Sequence, residues 1–349
     1  MKQLIIVGVW QFGYSSGTDT FCKYLSNDYQ ISYISFDQGN PKFKLDGVNT
    51  DYILEATNNR MIRKYKFIRK ICEYISYAEK DVVVYMTYFR FCSLIPILFP
   101  FRKIIIDHRS GNVNVNSLNR SIKNSLMWLE TIFFRHVAAI SEELKIHLKL
   151  PKKTIVFPLG SDIISTSQKS FESLNLLYVG TLKGRYIEDT IYGIANFKGK
   201  YPSVSITYDI IGKGDKSKIV DEITKYNLVS DVKLHGFVPN GEIDKYYDEC
   251  NIGVCYAPMT SFYMPQPFTK LYEYTLSGMA VISVKLSDSV RQVNNNNGVL
   301  CMDNAQSFSD ALEQIYLNRD NFNSAAIRQE FSKSTWAEIS KQFKKILDE

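Results

Sequence analysis

The chain has 349 residues, enough for two domains of ordinary size, and its 45% hydrophobic and 22% charged content excludes a disordered chain. No apolar run approaches the roughly 20 residues needed to span a bilayer. The formal charge of +6 is uneven: residues 1–165 carry 22 Lys/Arg against 14 Asp/Glu, a basic half suited to an anionic membrane surface, a phosphorylated acceptor or nucleic acid.

Residues 1–8 read as a first buried strand and not as a signal peptide, so a cytoplasmic location is expected, with or without peripheral attachment to the inner face of the membrane. Strands are predicted at 4–9, 30–35, 81–86, 103–107, 137–140 and 154–157, separated by amphipathic helical stretches at 18–25, 59–77 and 118–135. Residues 89–103 are rich in aromatics, interrupted by Pro96 and Pro100 and flanked by Arg and Lys. They read either as a buried crossover or as an interfacial segment on an anionic membrane, and the prolines bar one continuous helix. A polar, Ser-rich stretch at 160–170 reads as a linker.

Beyond it the rhythm resumes, with strands at 175–179, 203–211, 232–235, 252–255, 280–283 and 298–301. Helices are expected at 187–197, 218–226, 242–250, 268–277 and 307–316. Near-continuous apolar strands alternating with helices predict an α/β chain of two doubly wound, Rossmann-like domains facing a central cleft. The expected boundaries are 1–162 and 163–331. A terminal helix in 332–349, amphipathic around Trp336, Ile339, Phe343 and Ile346, caps the assembly or packs back across the cleft. The six cysteines form no C-x-x-C pair and the four histidines are scattered, so free thiols and no metal site are expected.

The most informative segment runs from Pro265 to Ile282. Two prolines fix a loop, a helix begins near Phe268, and Gly278 ends it before the next strand. The N-terminus of such a helix offers free N–H groups and a positive dipole end to a phosphate. Glu273, one to two turns in, can accept hydrogen bonds from two vicinal ribose hydroxyls. The pattern P-x-x-K-x-x-E-Y-x-x-x-G-x-x-V-I resembles the donor-site motif of family 4 of the retaining glycosyltransferases. So do Leu177–Arg185, Tyr208–Asp215, Val232–Pro239 with Tyr246, Tyr247 and Cys250–Ile252, and the junction at Ala139–Glu142 and Phe157–Asp162, all in the family's order. The likeness covers residues 135–340.

The resemblance implies the two-Rossmann-domain GT-B fold and metal-independent, retaining sugar transfer from a nucleotide diphosphate sugar, with UDP favoured. It places the nucleotide on Gly180, Thr181, Lys183, Arg185, Phe268, Thr269, Lys270 and Glu273. The loop Gly13–Thr18, with Gly13 and Gly17, resembles the family's first Gly-rich loop, although a plain strand–helix turn accounts for it equally. The family carries a second acidic residue where this chain has Pro265, so backbone groups of Phe268 and Thr269, or another side chain, are expected to meet the donor sugar.

Asp107, His108 and Arg109 end a predicted strand as three consecutive polar residues, expected to face the cleft and to act in catalysis or sugar contact. His235 reads as structural and Asp215 as a helix cap. The expected acceptor is a glycan or a polyprenyl-diphosphate-linked glycan in bacterial surface polysaccharide assembly. A sugar-nucleotide epimerase of the same architecture and a non-catalytic partner subunit are the other classes considered. No element shows the clustered basic and aromatic pattern of a nucleic-acid module.

Overall fold

A computed structural model describes residues 1–15, 17–54 and 59–349, apart from the side chain of Asn240. Ser16 of the first Gly-rich loop therefore lies outside the described residues. The chain divides into two compact units, one formed by Met1–Leu159 with Trp336–Glu349 and the other by Gly160–Thr335. The breaks expected after residues 162 and 331 fall after 159 and 335.

The first unit runs β1 (Lys2–Val7), α1 (Thr18–Leu25), β2 (Tyr29–Asp37), β3 (Val48–Leu54), α2 (Arg60–Tyr77), β4 (Val83–Thr87), α3 (Leu94–Leu98), β5 (Lys103–His108), α4 (Ser117–Thr131), β6 (His136–Ala139), α5 (Glu142–His147) and β7 (Ile155–Val156). Its seven strands are parallel in the order β3-β2-β1-β4-β5-β6-β7. The second unit runs β8 (Leu174–Val179), α6 (Glu188–Lys200), β9 (Ile206–Ile211), α7 (Ser217–Lys225), β10 (Val232–Gly236), α8 (Asp244–Glu249), β11 (Ile252–Cys255), α9 (Thr269–Leu276), β12 (Ala280–Val284), α10 (Ser287–Gln292), β13 (Gly298–Cys301), α11 (Ala305–Leu317) and α12 (Ser324–Glu330). Its six strands are parallel in the order β10-β9-β8-β11-β12-β13. Both orders reverse beside the first strand, between β1 and β4 and between β8 and β11. Ligands of open α/β sheets bind outside the carboxyl ends of the strands at such a switch point.

Central strands such as β4 and β12 are buried along nearly their whole length because helices cover both faces, which is why they read as unbroken apolar runs. Edge strand β3 escapes a reading based on apolar runs. Its sequence VNTDYIL is half-exposed and pairs only with β2, so no apolar run is required of it. Helix α5 was also not expected; Ser141 begins it, its hydroxyl accepting the Leu144 N–H at 3.1 Å. Residues 89–103 form no long helix: α3 is five residues, and the chain turns at Phe91 with φ 73° before it.

The last helix, α13 (Trp336–Asp348), belongs to the first unit. Phe343 packs against Phe21, Tyr85 and Phe157 with ring centroids 4.7, 4.7 and 4.9 Å apart, and Trp336 meets Phe21 edge-on. At its far end Lys103 and Lys2 donate to the carbonyls of Ile346 and Leu347, satisfying groups that a helix C-terminus leaves without intrahelical partners. Because Phe343 is completely enclosed, Phe343→Ala is expected to destabilise the first unit by about 3–5 kcal/mol, measured by denaturant unfolding.

Candidate functional site

In the second unit, three chain segments converge on the switch point beside β8. The loop after β8 interlocks with the loop after β9: the Gly180 N–H donates to Ile211 O at 2.9 Å and the Leu182 N–H to Lys213 O at 2.9 Å. A Cβ at Gly212 would overlap the carbonyl oxygen of Gly180, so the approach requires glycine there. Tyr178 donates its hydroxyl to the Thr181 carbonyl at 2.7 Å, fixing the turn that follows. Arg185 leaves that turn with its guanidinium 4.5 Å from the centroid of the Tyr263 ring, in the loop that leads to α9. Thr181 and Lys183 lie exposed on the same turn.

Helix α9 begins at Phe268, whose extended backbone makes it the N-cap, and no side chain caps the helix there. Its first N–H groups are therefore the uncompensated positive end of the dipole. One turn in, Glu273 accepts the Tyr247 hydroxyl at 2.7 Å and pairs with the Lys270 ammonium. Both bonds fall on Oε2, and no bond to Oε1 occurs among the described residues. Tyr274 locks the helix in place: its hydroxyl accepts the Val179 N–H at 2.9 Å, and its ring crosses β11 at Gly253, where a Cβ would collide with it. Tyr247 stacks on Tyr274 at 5.6 Å. Beside the helix start, the side-chain nitrogen of Gln266 is buried without a hydrogen-bond partner, a costly state for a donor unless a ligand oxygen meets it.

The structure thus brings Gly180, Thr181, Arg185, Phe268, Thr269, Lys270 and Glu273 to one end of the second sheet. Lys183 makes no contact that ties it to α9. His235 and Asp215 have structural partners: His235 Nε2 lies 2.5 Å from Asp209 on the neighbouring strand, and Asp215 accepts the Ser217 N–H at the start of α7.

In the first unit, Gly13 and Gly17 lie in the loop between β1 and α1, at that sheet's own switch point. Gly13 has φ 89° and packs beneath the ring of Phe43, while Gly17 is the N-cap of α1 beside Trp336. Asp19, in the first turn of α1, accepts the N–H groups of Ser15 at 3.3 Å and Thr20 at 3.0 Å, and burial raises its carboxyl above the ordinary range. A carboxylate of the chain itself therefore occupies the loop's amide groups, which favours the strand–helix turn over a phosphate cradle for this loop.

Asp107 and His108 depart from expectation. Both are 0% exposed, so their side chains lie in the interior and not at an open edge. Adjacent residues of a strand point to opposite faces. Asp107 meets the Tyr85 hydroxyl and Arg109 Nε, the latter at 2.5 Å, while His108 Nε2 faces the Thr131 hydroxyl at 3.0 Å and its ring stacks on Tyr88. Arg109 also donates to the Phe157 carbonyl at 3.3 Å and lies over the rings of Phe21 and Phe157. The three residues brace the end of β5 against α4 on one face and the aromatic cluster on the other.

The family described as Glycosyl transferases group 1 matches residues 167–333, nearly the whole second unit. The second unit thus resembles a glycosyl transferases group 1 domain. No curated protein sequence matches the chain. Among solved structures, a sucrose-phosphate synthase from Thermosynechococcus elongatus superposes with TM-score 0.76 at 15% identity, covering 99% of this chain and 98% of that one. Anabaena Alr3699/HepE in complex with UDP and glucose gives 0.74 at 13% identity, with 99% of each chain covered. A glycosyltransferase from Rickettsia africae gives 0.72 at 14%, covering 99% and 98%. These likenesses establish the fold: two parallel-sheet, Rossmann-like units of GT-B type.

Within the group 1 domain, Tyr247, Tyr263, Tyr274 and Gln266 were not assigned roles from the sequence. Tyr247 and Tyr274 enter the sequence reading only as positions of the resembling motifs, and nothing in a one-dimensional pattern aims a phenol at a particular carboxylate.

In the first unit, burial lowers the pKa of His108 from 6.5 to about 4, so the ring folds neutral and donates from Nε2, because the Thr131 hydroxyl is itself committed to the Met127 carbonyl at 2.7 Å. The folded value lies below the unfolded one. The unfolded chain therefore binds the extra proton between these values, and the contribution present above pH 6.5 is lost as pH falls to about 4. Its size is on the order of 3 kcal/mol. Denaturation midpoints measured across this range should fall less steeply for His108→Gln than for the wild type; parallel curves would contradict the assignment.

Proposed function

We propose that the chain transfers a hexosyl unit from a nucleotide diphosphate sugar, with UDP as the favoured base, to a hydroxyl of a glycan or lipid-linked glycan acceptor, with retention at the anomeric carbon. The observation that carries this reading is Glu273. Its carboxylate is held by Tyr247 and Lys270 through one oxygen, leaving Oε1 for the ribose hydroxyls, at an uncapped helix start within the group 1 domain. The binding of UDP and glucose by the structurally similar Anabaena protein supports the donor class.

As the bond from the anomeric carbon to the diphosphate breaks, negative charge develops on the leaving group. Arg185, Lys270 and the α9 N–H groups at Thr269 and Lys270 would stabilise that charge without requiring a metal ion. Arg185 must turn off the Tyr263 ring to reach it, which makes Tyr263 a resting place for the guanidinium. With Pro265 in place of an acidic residue, the sugar is held by backbone groups of Phe268 and Thr269 and by the unpartnered amide of Gln266. Retention lets the departing phosphate accept the acceptor proton, so no dedicated general base is needed. The buried Asp107 and His108 then act by positioning Arg109 and the end of β5, not by touching sugar. Assembly of a bacterial surface polysaccharide in the cytoplasm is the setting that this donor and acceptor chemistry suggests.

Glu273→Ala should weaken nucleotide binding by about 1–3 kcal/mol in calorimetry, the loss expected for a charge-assisted hydrogen-bond acceptor. Unchanged affinity removes the ribose assignment. A thermal-shift panel of nucleotide diphosphate sugars should single out one donor, and no shift with any of them favours a non-catalytic subunit.

A further inference from the structure

Helix α4 is held to the first unit mainly through its last turns, with a further contact at mid-helix, where Asn124 accepts the Asn112 N–H at 2.9 Å and faces His147 at 3.5 Å. Its buried residues are Met127, Glu130 and Thr131, all in the last turns, where Glu130 pairs with Arg90 at 2.8 Å and accepts the Phe91 N–H. The rest of the helix carries an apolar stripe that none of the described residues covers: Leu118, at 68% exposure, Ile122 and Leu129 share one side by their spacing, and exposed Ile132 and Phe133 continue it past the helix end. Phe133 in turn lines one shallow groove with Pro96, Ile97 and Phe99, so the stripe runs on into the exposed edge of α3. There Leu98 is exposed, and Phe101 stands out at 91%. A continuous uncovered apolar surface of this kind marks an interaction site.

Charge selects the partner. Between residues 82 and 141 the only acids are Asp107 and Glu130, and both are buried. Arg102 and Arg135 line the groove, Arg102 beside Glu79, whose carbonyl it meets, and burial together with Lys103, Lys153 and Arg135 lowers the pKa of His136. A second copy of the same face would bring like charges together. An anionic lipid surface offers hydrocarbon to the stripe and phosphate to the rim.

We propose that the α3–α4 face of the first unit docks on an anionic bilayer, lying in the interface with Phe101, Leu98 and the α4 stripe among the acyl chains. No helix among the described residues is long and apolar enough to cross a membrane, so the contact is peripheral. The inference extends the proposed reaction by fixing where a lipid-linked acceptor is met, and it rests on residues that the nucleotide site does not use.

The test is flotation of the full-length chain with phosphatidylcholine vesicles, either pure or containing about one third phosphatidylglycerol. Binding is expected to the anionic vesicles, weakening as salt rises, and to fall at least about tenfold in the double variant Ile122→Glu/Leu129→Glu. Both substituted side chains are exposed, and an unchanged circular-dichroism spectrum and unfolding midpoint check that the first unit, which carries α4, is folded in the variant. Failure to bind either vesicle, or equal binding by the variant, overturns the proposal. So does a dimer in sedimentation that the double variant dissolves without any vesicle binding, which would give the face to a second copy. A chain that floats normally yet binds no nucleotide leaves this inference standing and removes the proposed reaction.

Discussion

The last amide of β8 has to find an acceptor where the second sheet changes direction and its neighbouring strands diverge. Tyr274 supplies one, reaching across β11 through the gap left by Gly253 to accept the Val179 N–H. That single bond sets the distance between α9 and the end of the central strand. The rest of the site is arranged around it: the Gly180–Arg185 turn starts one residue later, and Tyr247, stacked on the same ring, holds the carboxylate of Glu273. A buried phenol without a partner is costly, so the bond fixes Tyr274 as firmly as Tyr274 fixes the helix.

Much of this fold was legible as rhythm. Strands buried on both faces must be apolar throughout, and the chain shows such strands in regular alternation with amphipathic helices. The unread pieces are those that escape that constraint. Strand β3 lies at a sheet edge and needs no apolar run, and α3, α5, α10 and α12 are too short for periodicity to register. The α9 segment was legible for another reason, since loop prolines, a glycine stop and a glutamate one turn in leave a mark at fixed offsets. Tyr247 and Gln266 leave none, because their meaning depends on what lies opposite in space. Asp107, His108 and Arg109 show the opposite failure. Three adjacent polar residues at a strand end suggested an open edge, yet alternation along the strand sent two of them into opposite interiors.

The units also differ in how they spend their polar groups. In the first, the Ser15 and Thr20 amides are taken by Asp19 and the guanidinium of Arg109 by Asp107, Tyr85 and a carbonyl, although Asp107 Oδ1 and His108 Nδ1 stay buried without a hydrogen-bond partner. Removing one partner of such a buried pair strands the other, which makes these groups rigid fixtures. In the second, the α9 N-terminus, Gln266 and one oxygen of Glu273 are left open. A site that must exchange ligands keeps its donors and acceptors unspent.

The seating of α13 on Phe21, Tyr85 and Phe157 has a consequence for how the chain is made. The first unit needs Trp336 and Phe343 to complete its aromatic cluster, and the whole second unit is synthesised before they emerge. At roughly 5–20 residues per second that interval is on the order of ten to thirty seconds. During it, the nascent first unit carries an unsealed aromatic patch, and the second unit itself is complete only at Thr335, one residue before Trp336. The part of the protein translated first thus waits for residues made only after the whole second unit.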